Sequence, residues 1–174
     1  MQVKLLRTFA AGAAVAFSLA TVAPSAANAQ LGFGVQGSFA SDDVGMGVGG
    51  FLTFGLGSLT TNTGISAKVG FDYFFPDHDL KYWEINGDAL YSIGNMQGSI
   101  RPYVGAGVTY GNASAGGAAG DACSAANVDC SSSDIGLNLL GGINIGSSKL
   151  APFVQAKFEA GGGELFIISG GIKF

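Results

Sequence analysis

"GISAKVGFDYFFPDHDLKYWEINGDALYSI", Gly64 to Ile93, holds the pattern on which the fold turns. Ahead of Pro76 every second residue is apolar: Ile65, Ala67, Val69, Phe71, Tyr73 and Phe75, with Lys68 and Asp72 between them. After Leu80 the alternation returns. Trp83, Ile85, Ala89, Tyr91 and Ile93 fall on one side, and Glu84, Asn86 and Asp88 on the other. Period-two alternation marks a strand with two unlike faces. Two such runs around a short link read as an antiparallel hairpin. A hairpin symmetric about Pro76–Leu80 sets Lys68 opposite Asp88 and Asp72 opposite Glu84.

The same pattern extends across the chain. Turn chemistry separates eight alternating segments: Leu31–Phe39, Val44–Phe54, Gly64–Phe75, Tyr82–Ile93, Ile100–Tyr110, Asp134–Ile145, Leu150–Glu159 and Leu165–Phe174. Most match the roughly 9–11 residues that a tilted strand needs to cross a bilayer. "RPYVGAGVTY" at Arg101 is echoed by "APFVQAKFEA" at Ala151, a weak repeat consistent with an up-and-down hairpin unit. Pro102 and Pro152 stand near the strand starts, where a missing N–H does least harm.

Residues 1–29 read as a cleaved signal peptide rather than as part of the fold. Lys4 and Arg7 give a basic start, Phe9 to Ala20 form a short apolar run, and Ala27-Asn28-Ala29 supplies a small-x-small cleavage site. Gln30 is then the first mature residue, and residues 30–174 form one barrel domain. Loss of Lys4 and Arg7 leaves six basic residues against twelve acidic ones, a formal charge of −6 rather than −4. Nucleic-acid binding, which needs a basic footprint, is not expected.

The whole chain is 48% hydrophobic and 11% charged, with 30 glycines. The mature part has no apolar run of about 20 residues, the length of a membrane helix. An exported, apolar, glycine-rich chain without such a helix can still enter a bilayer as a closed β-barrel. The decisive question is which face is apolar. Beyond Ile65–Phe75 and Trp83–Ile93, that face continues through Val104, Ala106, Val108 and Tyr110, then Ile135, Leu137, Leu139, Ile143 and Ile145, with no charge in these strands. The opposite face mixes charge with glycine, a combination suited to a crowded lumen. Aromatics near both strand ends supply two girdles: Phe39, Tyr73, Phe75, Trp83, Tyr110, Phe158 and Phe166 at one, Phe54, Tyr91 and Phe174 at the other. The expected fold is an all-β, eight-stranded antiparallel up-and-down transmembrane β-barrel.

With the N-terminus on the inner side, the outer loops are Ala40–Asp43, Pro76–Lys81, Gly111–Ser133 and Ala160–Glu164. The inner turns are Gly55–Thr63, Gly94–Ser99 and Gly146–Lys149. The leader, the eight segments, "RPYVGAGVTYG" and the terminal "SGGIKF" together resemble the small outer-membrane β-barrel proteins of Gram-negative bacteria, of the OmpX, OmpW and OmpA-barrel types. The resemblance implies residence in the outer membrane, with lipid as surroundings and the assembly machinery as partner. It also implies that Gly170, Ile172 and Phe174 form the signal that this machinery reads.

A lumen of eight strands is small enough for side chains to fill, and charges there must be paired. The expected network joins Lys68, Asp72, Glu84, Asp88, Arg101, Lys157, Glu159 and Lys173, with Asp134 also facing inward. Lys68–Asp88 is the natural cross-strand pair, and Lys157 is the candidate cation for Asp72 and Glu84. A charged plug is favoured over an ion path. Cys123 and Cys130, in the outer loop of an exported chain, read as a disulfide, and without a nearby His they make no zinc site. His78 lies between Asp77 and Asp79. Some barrels of the resembled class are lipid A acyl hydrolases or acyltransferases with a His and a Ser near the outer rim, but no Ser here has a defined place beside His78. Asp-His-Asp is also a possible divalent-cation ligand set, as are the acidic outer loops (Asp42, Asp43, Asp77, Asp79, Asp121, Asp129 and Glu164) shared with phosphorylated lipid heads. The expectation is a monomer with a structural or surface-interaction role, with no catalytic residue, metal or cofactor. A narrow channel is the second reading and a lipid A-modifying enzyme the third.

Overall fold

A computed structural model describes residues 31–56, 64–76, 80–93, 99–146, 150–161 and 163–174. The signal-peptide reading of residues 1–29, and His78 with its two aspartates, lie outside these residues. Eight strands form a closed barrel in chain order. They are β1 (Leu31–Ala40), β2 (Gly45–Gly55), β3 (Ile65–Phe74), β4 (Leu80–Ser92), β5 (Ile100–Ala115), β6 (Ser131–Ile145), β7 (Ala151–Ala160) and β8 (Leu165–Lys173). Every neighbouring pair is antiparallel, and β8 closes on β1 from Gly34 opposite Lys173 to Ala40 opposite Ile167. Closure leaves no strand edge unpaired, the condition for a sheet to lie in hydrocarbon. Among the described residues no helix is long and apolar enough to cross a membrane.

Burial follows the alternation. Along β1 and β7 every second residue is buried and its neighbour exposed. The exposed set is apolar: Leu137 and Leu139 keep 67% and 66% of their surface open, and Val69, Phe71, Ile85, Val108, Val154 and Ile168 are exposed around the rest of the wall. An apolar belt on this scale is foreign to a water-facing surface and matches the band of a transmembrane barrel. The β1–β2, β3–β4, β5–β6 and β7–β8 connections share one end, here called the loop end; the other is the terminal end. At the loop end an aromatic series runs across the wall. Phe71 stacks on Trp83 at 6.1 Å, Trp83 leans on Tyr110 at 5.7 Å, and Tyr73 meets Phe75 edge-on at 5.2 Å. At the terminal end Phe174 stacks on Phe33 at 5.0 Å across the closing seam.

The β1–β2 turn is tight because Asp42 and Asp43 both take positive φ, 54° and 64°, a region that aspartate tolerates better than most residues. The β5–β6 connection departs from the sequence reading, which left Gly111–Ser133 irregular. The strands instead run on, with Gly111 opposite Asp134 and Ser114 opposite Ser131. The Asn112 amide ties the extension by donating to the Ser133 hydroxyl at 2.8 Å. Above it sits one helix, α1 (Gly117–Ala125). Alanine favours this helix. It ends in a Schellman arrangement, with Asn127 at φ 55°, its N–H donating to Ser124 O at 3.1 Å and the Val128 N–H to Cys123 O at 3.0 Å. The Cys123–Cys130 disulfide fastens the helix to the start of β6.

Candidate functional site

The lumen is built in layers. Near the loop end Ala40, Phe74 and Ile167 form a buried apolar cluster, flanked by Val44, Tyr82 and Leu165. Toward the terminal end Phe51 and Phe153 meet edge-on at 5.4 Å, beside buried Tyr103 and Leu140. The sequence reading gave the lumen to glycine and charge and missed these large residues. Register explains how they fit. Gly34 stands opposite Phe51, Gly47 opposite Phe74 and Gly171 opposite Phe153. A Cβ at Gly47 would lie 2.6 Å from Phe74 Cδ1, and one at Gly171 2.8 Å from Phe153 Cε1. Each glycine is the space that the facing ring occupies.

The polar layer lies between. The β3–β4 register sets Lys68 opposite Asp88 and Asp72 opposite Glu84. Lys157, from β7, forms ion pairs with Glu84 and with Glu159, the latter at 2.6 Å, and donates to Asn86 Oδ1 at 3.1 Å. Asp72 is served by amides instead: Gln36 donates at 2.7 Å and Asn86 at 3.3 Å. Asn86 also donates to Glu84 at 2.9 Å, and Asn138 donates to Asp88 at 3.0 Å and to Asn86 at 3.1 Å. All of these side chains are buried, Glu84 completely. Charge-assisted bonds in such a medium are strong.

Four parts of the expected lumen sit differently. Lys68 makes no ion pair with Asp88: it reaches the Gln155 and Gln36 carbonyls at 3.2 and 3.4 Å, 4.4 Å above the Phe51 ring. The amide of Asn138 already occupies Asp88. Lys157 bridges Glu84 to Glu159, its neighbour two residues along β7, rather than to Asp72. Arg101 and Lys173 lie outside the network at the terminal end, where Arg101 donates to Gly146 O at 2.8 Å. Asp134 is exposed at the loop-end rim. Four amides join the charges: Asn86, Asn138 and Gln155, which the alternation already sets on the inward face, and Gln36, whose equal parity along β1 is the signal that could have found it. Among the described residues no group of three or more His, Cys, Asp or Glu side chains is arranged to hold a metal ion.

Closed wall, apolar exterior and packed polar interior define a class, the small transmembrane β-barrels of eight strands. Within that class the chain is similar in structure to Neisserial surface protein A (NspA), at 17% identity over 82% of this chain and 94% of that one, with a TM-score of 0.56. It is similar to the N-terminal β-barrel domain of Pseudomonas aeruginosa OprF, at 14% identity over 84% and 98%, with a TM-score of 0.59. It is also similar to the outer membrane enzyme PagL, at 13% identity over 82% and 98%, with a TM-score of 0.53. No protein-family model and no curated protein sequence matches the chain. What is shared at these identities is the fold, that of the small outer-membrane barrels.

Proposed function

We propose that the chain is an integral outer-membrane barrel whose lumen is closed by its own side chains, with a structural or surface-interaction role carried by the loop end. One observation supports this above the rest. The set Gln36, Asp72, Asn86, Glu84, Lys157 and Glu159 is hydrogen-bonded or ion-paired across strands β1, β3, β4 and β7. Strands on opposite sides of a small barrel are thereby tied through its centre, in the space that a permeating solute would need. The β5–β6 extension, with α1 fastened by its disulfide, gives the loop end a shaped projection.

In this reading the protein works as a monomer surrounded by outer-membrane lipid, is exported with cleavage before Gln30, and has no enzymatic activity. The assembly machinery reads Gly170, Ile172 and Phe174 on the last strand. Purified barrel in a planar bilayer should show no steady conductance. A stable open current would overturn the closed lumen and put a narrow channel in its place.

A further inference from the structure

The two ends of the lumen differ in charge. Of the twelve Asp and Glu residues, Asp72, Glu84, Asp88 and Glu159 are buried in the lumen. Asp134 stands at the loop-end rim, and the others belong by sequence to the loop-end connections. The turns at the terminal end, residues 56–64, 93–99 and 146–150, contain no Asp or Glu. Besides Lys149, which lies in the last of these turns and outside the described residues, that end holds Lys68, Arg101 and Lys173. Among the described residues the only ion pairs are those of Lys157, so none of these three cations has a carboxylate within bonding distance. Lys68 donates only to amide oxygens and lies over the Phe51 and Phe153 rings, with the attraction of Asp88 and Asp72 reaching it without a direct pair. Lys173 and Arg101 are close enough to repel each other.

A cavity of about 70 Å³ lies among these groups, lined by Thr53, Ser66, Lys68, Asn144 and Lys173 and walled by the Phe51 and Phe153 rings. The Thr53 hydroxyl, on a residue only 4% exposed, has no hydrogen-bond partner, and neither has Arg101 Nε. The cavity therefore gathers two ammonium groups and the unbonded Thr53 hydroxyl among neutral polar and aromatic side chains, with the Arg101 guanidinium outside its lining. A buried ammonium such as that of Lys68, without a direct ion pair, is costly, and a buried hydroxyl left unbonded adds to that cost. A compact anion would relieve both. We propose that the terminal end of the lumen binds a small inorganic anion, held by Lys173, Lys68 and Thr53 with Arg101 at its edge. This goes beyond the closed-lumen reading and does not depend on it, since a conducting barrel could hold the same ion.

The probe is chloride, followed by chlorine-35 NMR line broadening on full-length barrel refolded in a zwitterionic detergent with gluconate as the background anion. Saturable broadening is expected, displaced by sulfate if the site accepts an oxyanion and retained if it selects the halide. Either result supports an anion site. Lys173→Gln and, separately, Thr53→Val should weaken binding, the first by about tenfold, the scale of one lost charged hydrogen bond. Lys81→Gln, at an exposed loop-end lysine, should leave it unchanged. Heat-dependent gel mobility reports that each variant is folded, and Arg101→Gln serves in place of any that is not. Broadening that never saturates, or that is as strong in Lys173→Gln as in the unaltered protein, overturns the site.

Discussion

Replacing Lys157 by Met tests the centre of the lumen. Methionine keeps much of the length and removes the charge. Lys157 is 4% exposed, and its ammonium serves Glu84 and Glu159, themselves 0% and 3% exposed. After substitution Glu84 retains the Asn86 amide at 2.9 Å and the Tyr82 hydroxyl at 3.5 Å. Glu159 is left without a cation. Breaking a buried pair in this way costs about 3–5 kcal/mol, because the stranded carboxylate keeps its desolvation penalty. Urea unfolding in lipid vesicles, followed through the single tryptophan, Trp83, measures the loss. With a slope of roughly 1–3 kcal/mol per molar urea, the midpoint should fall by at least about 1 M. Adding Glu84→Gln and Glu159→Gln removes the charges that Lys157 balanced and should recover most of the loss. A loss below about 1 kcal/mol, the range of exposed ion pairs, would refute the reasoning.

Other outcomes follow from the same geometry. Gly107→Val should cost about 1–3 kcal/mol by overpacking, since a side chain there meets Gly87 O and the Asp88 carboxylate; Gly37→Val, with open space around it, should not, and unfolding midpoints compare the two. Replacing both Cys123 and Cys130 by Ser should ease opening of the outer loop by about 2–3 kcal/mol on the chain-entropy model. Faster protease cleavage between β5 and β6, with unchanged barrel mobility on gels, is the expected result. Phe174→Ala removes the ring stacked on Phe33 and should slow assembly by more than the loss of one aromatic contact explains, read as the yield of heat-resistant barrel over time.

The wall was largely legible in the sequence. Alternation at Ile65–Phe75 and Trp83–Ile93 located two strands, their faces and their register, because a one-residue slip would turn every charge toward lipid. The filling of the lumen was less legible. Phe51, Phe74 and Phe153 have inward parity, but a large apolar residue on a polar face is ambiguous until its cross-strand neighbour is known. That neighbour is glycine in all three cases, a relation fixed by register and invisible along a single strand. Partner choice was hidden for a similar reason. Lys68 and Asp88 are opposite each other, yet Gln155 and Asn138 from more distant strands take their bonds. The β5–β6 extension escaped notice because Ala, Gly and Ser carry no alternation to read.

The central claim is that the charge-free face lies in lipid, and brominated-lipid quenching tests it most directly. In a Trp83→Phe background, a single tryptophan is placed in turn at Val69, Val108, Leu139 and Ile168, and each barrel is refolded into vesicles of brominated phosphatidylcholine. The account predicts strong quenching at all four sites, with little further quenching by aqueous iodide. Fluorescence unaffected by brominated chains but quenched by iodide would contradict it.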